Sequence, residues 1–146
     1  MRILFIGAGR MGLPIISSWK KGSGHKSIDI HLVEKLEANI NKIKKENIKV
    51  NFYKKIPKKW KGDVIFFAVK PQDFKKVAKE INLNNVFYKN IVSIMAGITT
   101  SKIRSRVHLV SCFTKRITLV KIYINVCCSK ISFYYSARAY YIDCSH

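Results

Sequence analysis

Acidic side chains are scarce in this chain: 8 Asp and Glu stand against 28 Lys and Arg, a formal charge of +20 over 146 residues. A long apolar run is missing, and a membrane-spanning helix needs about 18 such residues, so no such helix is expected. The start, Met1-Arg2 followed by Ile3 to Gly9, is closed by Arg10 without a small-residue cleavage site, which argues against a secretory signal. A soluble cytoplasmic protein is the expectation. Of the four cysteines, Cys112, Cys127, Cys128 and Cys144, no two form a C-x-x-C pair, so neither a zinc site nor a disulfide framework is expected. Arginine-rich and aromatic-interleaved motifs are also lacking. The positive charge by itself suggests nucleic acid or another anion as partner. Its bulk, however, is 22 scattered lysines beside 21 isoleucines, the bias an AT-rich coding sequence produces. We therefore read the lysines as solvated faces and expect no nucleic-acid partner.

Glycine and proline are unevenly spread. All 7 glycines and all 3 prolines lie at or before Gly97. Residues 104–146 thus lack the strongest turn formers, yet hold all four cysteines and five of the seven tyrosines. The chain divides by composition into 1–103 and an atypical tail, 104–146. Within that tail Ile117 to Val126 alternates loosely and permits a strand. His108 and His146, the only histidines of the tail, are paired with no acid or nucleophile and are not read as catalytic.

The first part has clear periodicity. Arg2 to Ile6 is a short apolar run ending at glycine, which suits a buried parallel strand. Met11 to Lys20 reads as a helix with Pro14 in its first turn. Ile28 to Val33 alternates as a second strand, and Leu36, Ile40 and Ile43 recur at helical spacing. Lys49 to Phe52 is a weak strand and Val64 to Val69 a strongly apolar one. Phe74, Val77, Ala78 and Ile81 make a helical stripe, and Asn90 to Met95 is a fifth strand. Strands alternating with helices over short links predict a doubly wound α/β fold, a parallel sheet of Rossmann type with helices on both faces.

Between the first strand and helix stands Gly7-Ala8-Gly9-Arg10-Met11-Gly12, a G-x-G-x-x-G pattern. In that setting the first glycine permits the tight turn, and the second lets backbone approach a pyrophosphate. The third lets the helix pack closely. Phosphate would sit on the free N–H groups and positive dipole end of the helix. Glu34 ends the second strand, where an acid bonds the adenosine ribose hydroxyls and disfavours a 2′-phosphate. Its alternative is a solvated residue that opens the next helix. Lys35 could instead meet a 2′-phosphate, so NADP and NAD both remain open.

Asp63-Val64-Ile65-Phe66-Phe67-Ala68-Val69-Lys70-Pro71-Gln72 resembles the Val-Lys-Pro-Gln segment of pyrroline-5-carboxylate reductases. Ile6 to Gly12 is similar to that family's cofactor loop, and Ser93 to Ile98 to its next strand and turn. The resemblance covers residues 1–103. It implies an NADP- or NAD-dependent oxidoreductase that reduces a small cyclic imine to proline, and it places Ala68, Val69, Lys70 and Pro71 with Ile6–Gly12 along the cofactor. Bottom-up, Ala68 and Val69 finish a strand at the ligand-binding edge, Lys70 brings a cation there, and Pro71 can open a helix. The family then continues with a further strand, a Met-Pro-Asn-type motif and a helical domain that completes the pocket and the dimer. Nothing after Ile103 matches these. We expect 104–146 to be a frameshifted or mispredicted translation, and the 146-residue chain to bind cofactor without turning over. A basic nucleic-acid- or anion-binding module without redox activity and a dinucleotide-binding regulator are the competing readings.

Overall fold

The computed structural model describes residues 1–21, 28–107 and 116–119. Six strands and four helices follow one another as β1 (Arg2–Ile6), α1 (Gly12–Lys21), β2 (Asp29–Val33), α2 (Glu37–Lys45), β3 (Asn51–Tyr53), β4 (Val64–Phe67), α3 (Phe74–Leu83), β5 (Asn90–Ser93), α4 (Thr100–Arg104) and β6 (Arg116–Leu119). One 3₁₀ turn, Pro71–Asp73, leads into α3. The strands form a single sheet in the order β3-β2-β1-β4-β5-β6, and every neighbouring pair is parallel. The order reverses between β1 and β4, the arrangement expected of a doubly wound Rossmann-type fold.

β1 is central because it can be buried on both faces. Ile3, Leu4, Phe5 and Ile6 are all buried. Leu4 and Ile6 face one layer with Ile65, Phe67, Ile91 and the α3 stripe Phe74, Val77, Ala78 and Ile81. Ile3 and Phe5 face the other, with Ile16 of α1, Ile30, Leu32 and Ile43 of α2. In that second layer Phe5 stacks on Phe66 at 4.5 Å between ring centres, and Trp19 stands edge-on to both. Such aromatic pairs add about 0.5–1.5 kcal/mol beyond the area they bury.

Several boundaries differ from the sequence reading, each for a local reason. Leu36 does not join Ile40 and Ile43: it precedes α2 with extended backbone, so its side chain leaves the helical stripe and is 63% exposed. The third strand begins at Asn51 rather than Lys49. β4 and β5 end at Phe67 and Ser93, two residues early. β1 turns away at Gly7, and one further ladder bond, Ala68 N–H to the Ile6 carbonyl at 2.9 Å, closes the pairing. The apolar core also runs past 103: Ile103 and Val107 are fully buried, and β6, from the segment read as a tail, pairs with β5. A strand after the Ala96-Gly97 turn is therefore present, and it overlaps the start of the Ile117 to Val126 segment, whose loose alternation permits one. The four cysteines, His108 and His146 lie outside the described residues. Among the described residues no helix is long and apolar enough to cross a membrane.

Two carboxylates clasp the edge of the sheet where the strands begin. Asp29 accepts from Arg2 Nε at 3.1 Å and from Asn51 Nδ2 at 3.0 Å, and lies 3.0 Å from His31 Nε2. Asp63 accepts from the Arg2 backbone N–H at 2.9 Å and from Lys89 Nζ at 2.7 Å. Burial alone would raise the Asp29 carboxyl, but the bonds from His31 and Arg2 outweigh it and hold the group below its ordinary value. The Lys89 side chain, then the Arg2 N–H, lower Asp63 against a smaller effect of burial. A carboxyl depressed in the folded state stabilises above its unfolded pKa, near 3.9, and that contribution is lost as pH falls through the folded value. The midpoint of urea unfolding should therefore fall between about pH 5 and pH 3, and fall less in an Asp29→Asn, Asp63→Asn double variant. An identical pH profile for the two proteins would show that the clasp carries no linkage.

Candidate functional site

Across the carboxyl edge of the sheet β1, β2, β4 and β5 each make one more backbone bond before the chain turns away. Glu34 N–H donates to the Tyr53 carbonyl at 3.0 Å, Gly7 N–H to Val33 at 3.0 Å, Ala68 N–H to Ile6 at 2.9 Å and Ile94 N–H to Phe67 at 3.1 Å. These bonds set the starts of four loops side by side, at the edge where ligands bind in open α/β sheets. Of the residues singled out in the sequence, Ile6, Gly7, Ala8, Glu34, Ala68 and Val69 are brought together there.

The three glycines are held for different reasons. Gly7 has φ +94°, and a Cβ on it would lie 2.8 Å from the Ala68 carbonyl oxygen and 3.0 Å from Val69 Cγ1. Only glycine adopts that turn without strain. A Cβ on Gly12 would strike the Gly7 carbonyl oxygen and come within 3.1 Å of the Phe5 ring, so the helix start rests directly on the strand end. A Cβ on Gly9 would meet nothing within 4 Å. Gly9 is thus not required by the packing of the fold. It leaves open the space in front of α1. The first helical bond is Leu13 N–H to the Gly9 carbonyl at 3.1 Å, and among the described residues the N–H groups of Gly9, Arg10, Met11 and Gly12 have no acceptor. Free N–H groups behind an uncluttered glycine at the positive end of a helix dipole fit a phosphate.

Glu34 is neither solvated nor merely at the start of a helix. It is 8% exposed. Its Oε2 accepts from the Ala8 N–H at 2.8 Å and Asn39 Nδ2 at 3.0 Å; its Oε1 accepts from the N–H groups of Lys35 at 2.7 Å and Leu36 at 2.9 Å. Burial pushes this carboxyl up, but the N–H groups of Leu36 and Ala8, the Asn39 amide and the Lys35 N–H together hold it below its ordinary value. Asn39 escaped the sequence reading. Its signal, an amide at the start of the helix that follows the strand-end acid, is short and common.

The remaining positions lie outward. Arg10, Lys35, Lys70 and Pro71 are exposed, and Met11 is half-buried. Lys70 has extended backbone, and Pro71 occupies the first position of the 3₁₀ turn, where its missing N–H leaves no bond unmade. Across the edge Gly97 turns at φ +71°, with open space where a side chain would be. The cations at this edge have no ion-pair partner among the described residues. No three His, Cys, Asp or Glu side chains among the described residues group as metal ligands.

The glycines can be separated by experiment. Gly7→Val and Gly12→Val should each cost at least about 2 kcal/mol in urea unfolding through strain and overpacking. Gly9→Val should leave stability within about 1 kcal/mol. Equal losses at all three would mean that Gly9, too, serves the fold.

The model of the family described as "NADP oxidoreductase coenzyme F420-dependent" matches residues 2–97. A pyrroline-5-carboxylate reductase of Staphylococcus haemolyticus is 32% identical over 114 residues, covering 75% of this chain and 41% of that protein. Its counterpart in Staphylococcus aureus (strain COL) is 30% identical over 107 residues, covering 73% and 40%. Among solved structures, the 1-pyrroline-5-carboxylate reductase of Streptococcus pyogenes superposes with a TM-score of 0.51 at 22% identity, covering 73% of this chain and 38% of that one. A PanE/ApbA family ketopantoate reductase from Ralstonia eutropha JMP134 superposes at 0.58 with 16% identity, covering 85% and 42%. The two superpositions show a shared fold. The chain spans about two fifths of the length of the curated relatives it matches.

Proposed function

The chain belongs to the family described as coenzyme F420-dependent NADP oxidoreductases, and from that premise we propose that it binds NADP or NAD along the carboxyl edge of its sheet as the cofactor half of a pyrroline-5-carboxylate reductase. The observation that carries this reading is Gly9: packing does not demand it, and it fronts a helix start whose N–H groups are free. The likeness to reductases named for that substrate supports the choice of reaction.

In this reading the N–H groups of Gly9 to Gly12 hold the pyrophosphate, and Arg10 adds an exposed cation at its rim. The Ala68–Val69 segment, braced against Gly7, forms the opposite lip of the crevice. Lys70 brings positive charge to that lip, and Lys35 brings it to the adenosine side. When bound, the reduced nicotinamide supplies a hydride to an imine carbon, while the protein supplies orientation and electrostatics.

Substrate is a different matter. The turn at Ala96–Gly97 and the Lys70–Pro71 segment offer one wall for a small cyclic imine, and the described residues offer no facing wall. Holding both reactants at near-attack distance contributes several kcal/mol, up to about 7–11 in the best-oriented cases. The 146-residue chain alone is therefore proposed to bind cofactor and to lack turnover. Proline synthesis in the cytoplasm, in an oligomer, would need residues that supply the second wall and the subunit contact.

Calorimetry should show saturable binding of NADPH or NADH by the folded chain, abolished in Gly9→Trp, where an indole would occupy the pyrophosphate position. No binding by folded wild-type protein would overturn the reading. With pyrroline-5-carboxylate as substrate, NADPH oxidation should be absent for the 146-residue chain. Robust turnover by it would overturn the half-site proposal.

A further inference from the structure

The Glu34 carboxylate has no free valence to offer a ligand. An ionised carboxylate presents about four lone-pair sites. All are taken: two donors, Ala8 N–H and Asn39 Nδ2, meet Oε2, and two, the N–H groups of Lys35 and Leu36, meet Oε1, all between 2.7 and 3.0 Å. A ribose hydroxyl could bond to it only by displacing one of these, and each is charge-assisted, the Ala8 bond being fully buried. The donors come from two separate loops. Ala8 lies within the glycine turn after β1; Lys35, Leu36 and Asn39 lie at the start of α2. We infer that Glu34 is a positioning residue for the glycine turn and not a ligand of the adenosine ribose: it fixes Ala8, and through Ala8 the adjoining Gly9 amide that faces the pyrophosphate.

This rests on the dinucleotide reading above and changes what it requires. An acid that reads the ribose discriminates between cofactors by their 2′ substituent. An acid that shapes the turn affects every dinucleotide to the same degree, because all share the pyrophosphate.

The test uses Glu34→Gln, which keeps the shape but accepts only through one oxygen and turns an NH₂ toward opposing N–H groups. NADH, NADPH and NADH lacking the adenosine 2′-hydroxyl are titrated into wild-type and variant protein, well below the unfolding midpoint. The expected result is a common weakening on the order of tenfold for all three, the size of one lost charge-assisted bond. In the uncomplexed protein, the Ala8 amide proton should move upfield in the variant as its bond to a carboxylate is lost. Weakening of NADH alone, with the 2′-deoxy analogue unaffected or NADPH improved, would overturn the proposal. An unmoved Ala8 resonance would overturn it as well. If Glu34→Gln does not fold, Asn39→Ala removes one of the four donors, and a shift in the NADH-to-NADPH ratio there is the overturning result. Should wild-type protein bind none of the three, the dinucleotide reading fails, while the Ala8 resonance still decides whether Glu34 holds the turn.

Discussion

The turn at Gly7 is the constraint on which the rest of the site depends. A strand buried on both faces has to leave the sheet abruptly, or its backbone would enter the crevice. The left-handed φ of +94° at Gly7 makes that exit in one residue. It sets the Gly7 carbonyl under the start of α1 and brings the turn against the Ala68 carbonyl on the far side. Helix position, crevice width and the direction of the free amides all follow from that one dihedral. The surrounding core, where Phe5, Phe66 and Trp19 pack against one another, gives it a rigid base.

Charge is arranged around this turn in two layers. Glu34 is the anion at the edge, and it is spent on internal N–H groups. Outside it stand Arg10, Lys35 and Lys70, exposed and without ion-pair partners among the described residues. A dianionic pyrophosphate would thus meet donors and cations while the nearby carboxylate is already compensated. The wider excess of lysine needs no such account, since most of it is solvated on helix faces and links.

Much of this was legible in the sequence. Arg2–Ile6 followed by Gly7-x-Gly9-x-x-Gly12 declares a strand, a turn and a close-packed helix, because each position has its own steric requirement. The stripe Phe74, Val77, Ala78 and Ile81 was legible because burial on one helix face repeats at a fixed period. What escaped depends on partners distant in sequence. The ends of β4 and β5 are set by where their neighbours stop, which local pattern does not encode. Leu36 looked like part of a helical stripe, but capping geometry placed it before the helix. Glu34 was recognisable as the strand-end acid, and its preoccupation with Ala8, 26 residues away, was not. β6 lies beyond the compositional break, where loose alternation permitted a strand but no turn residue marked its ends.

The centrality of β1 has a consequence for how the chain comes to be folded. β1 is synthesised before the other described strands, and in the sheet it shares the central position with β4. One of its edges pairs with β2, in the register Ile3 to Ile30, but the other must wait for β4, in the register Ile3 to Val64. Pairings of such separation close slowly, because loop entropy is spent before any contact repays it. Until Phe67 has left the ribosome, Ile3 to Ile6 present an open, apolar strand edge on the nascent chain. The interval between the two pairings is thus when this protein is most exposed to association with its neighbours, and most dependent on chaperones that shield such edges.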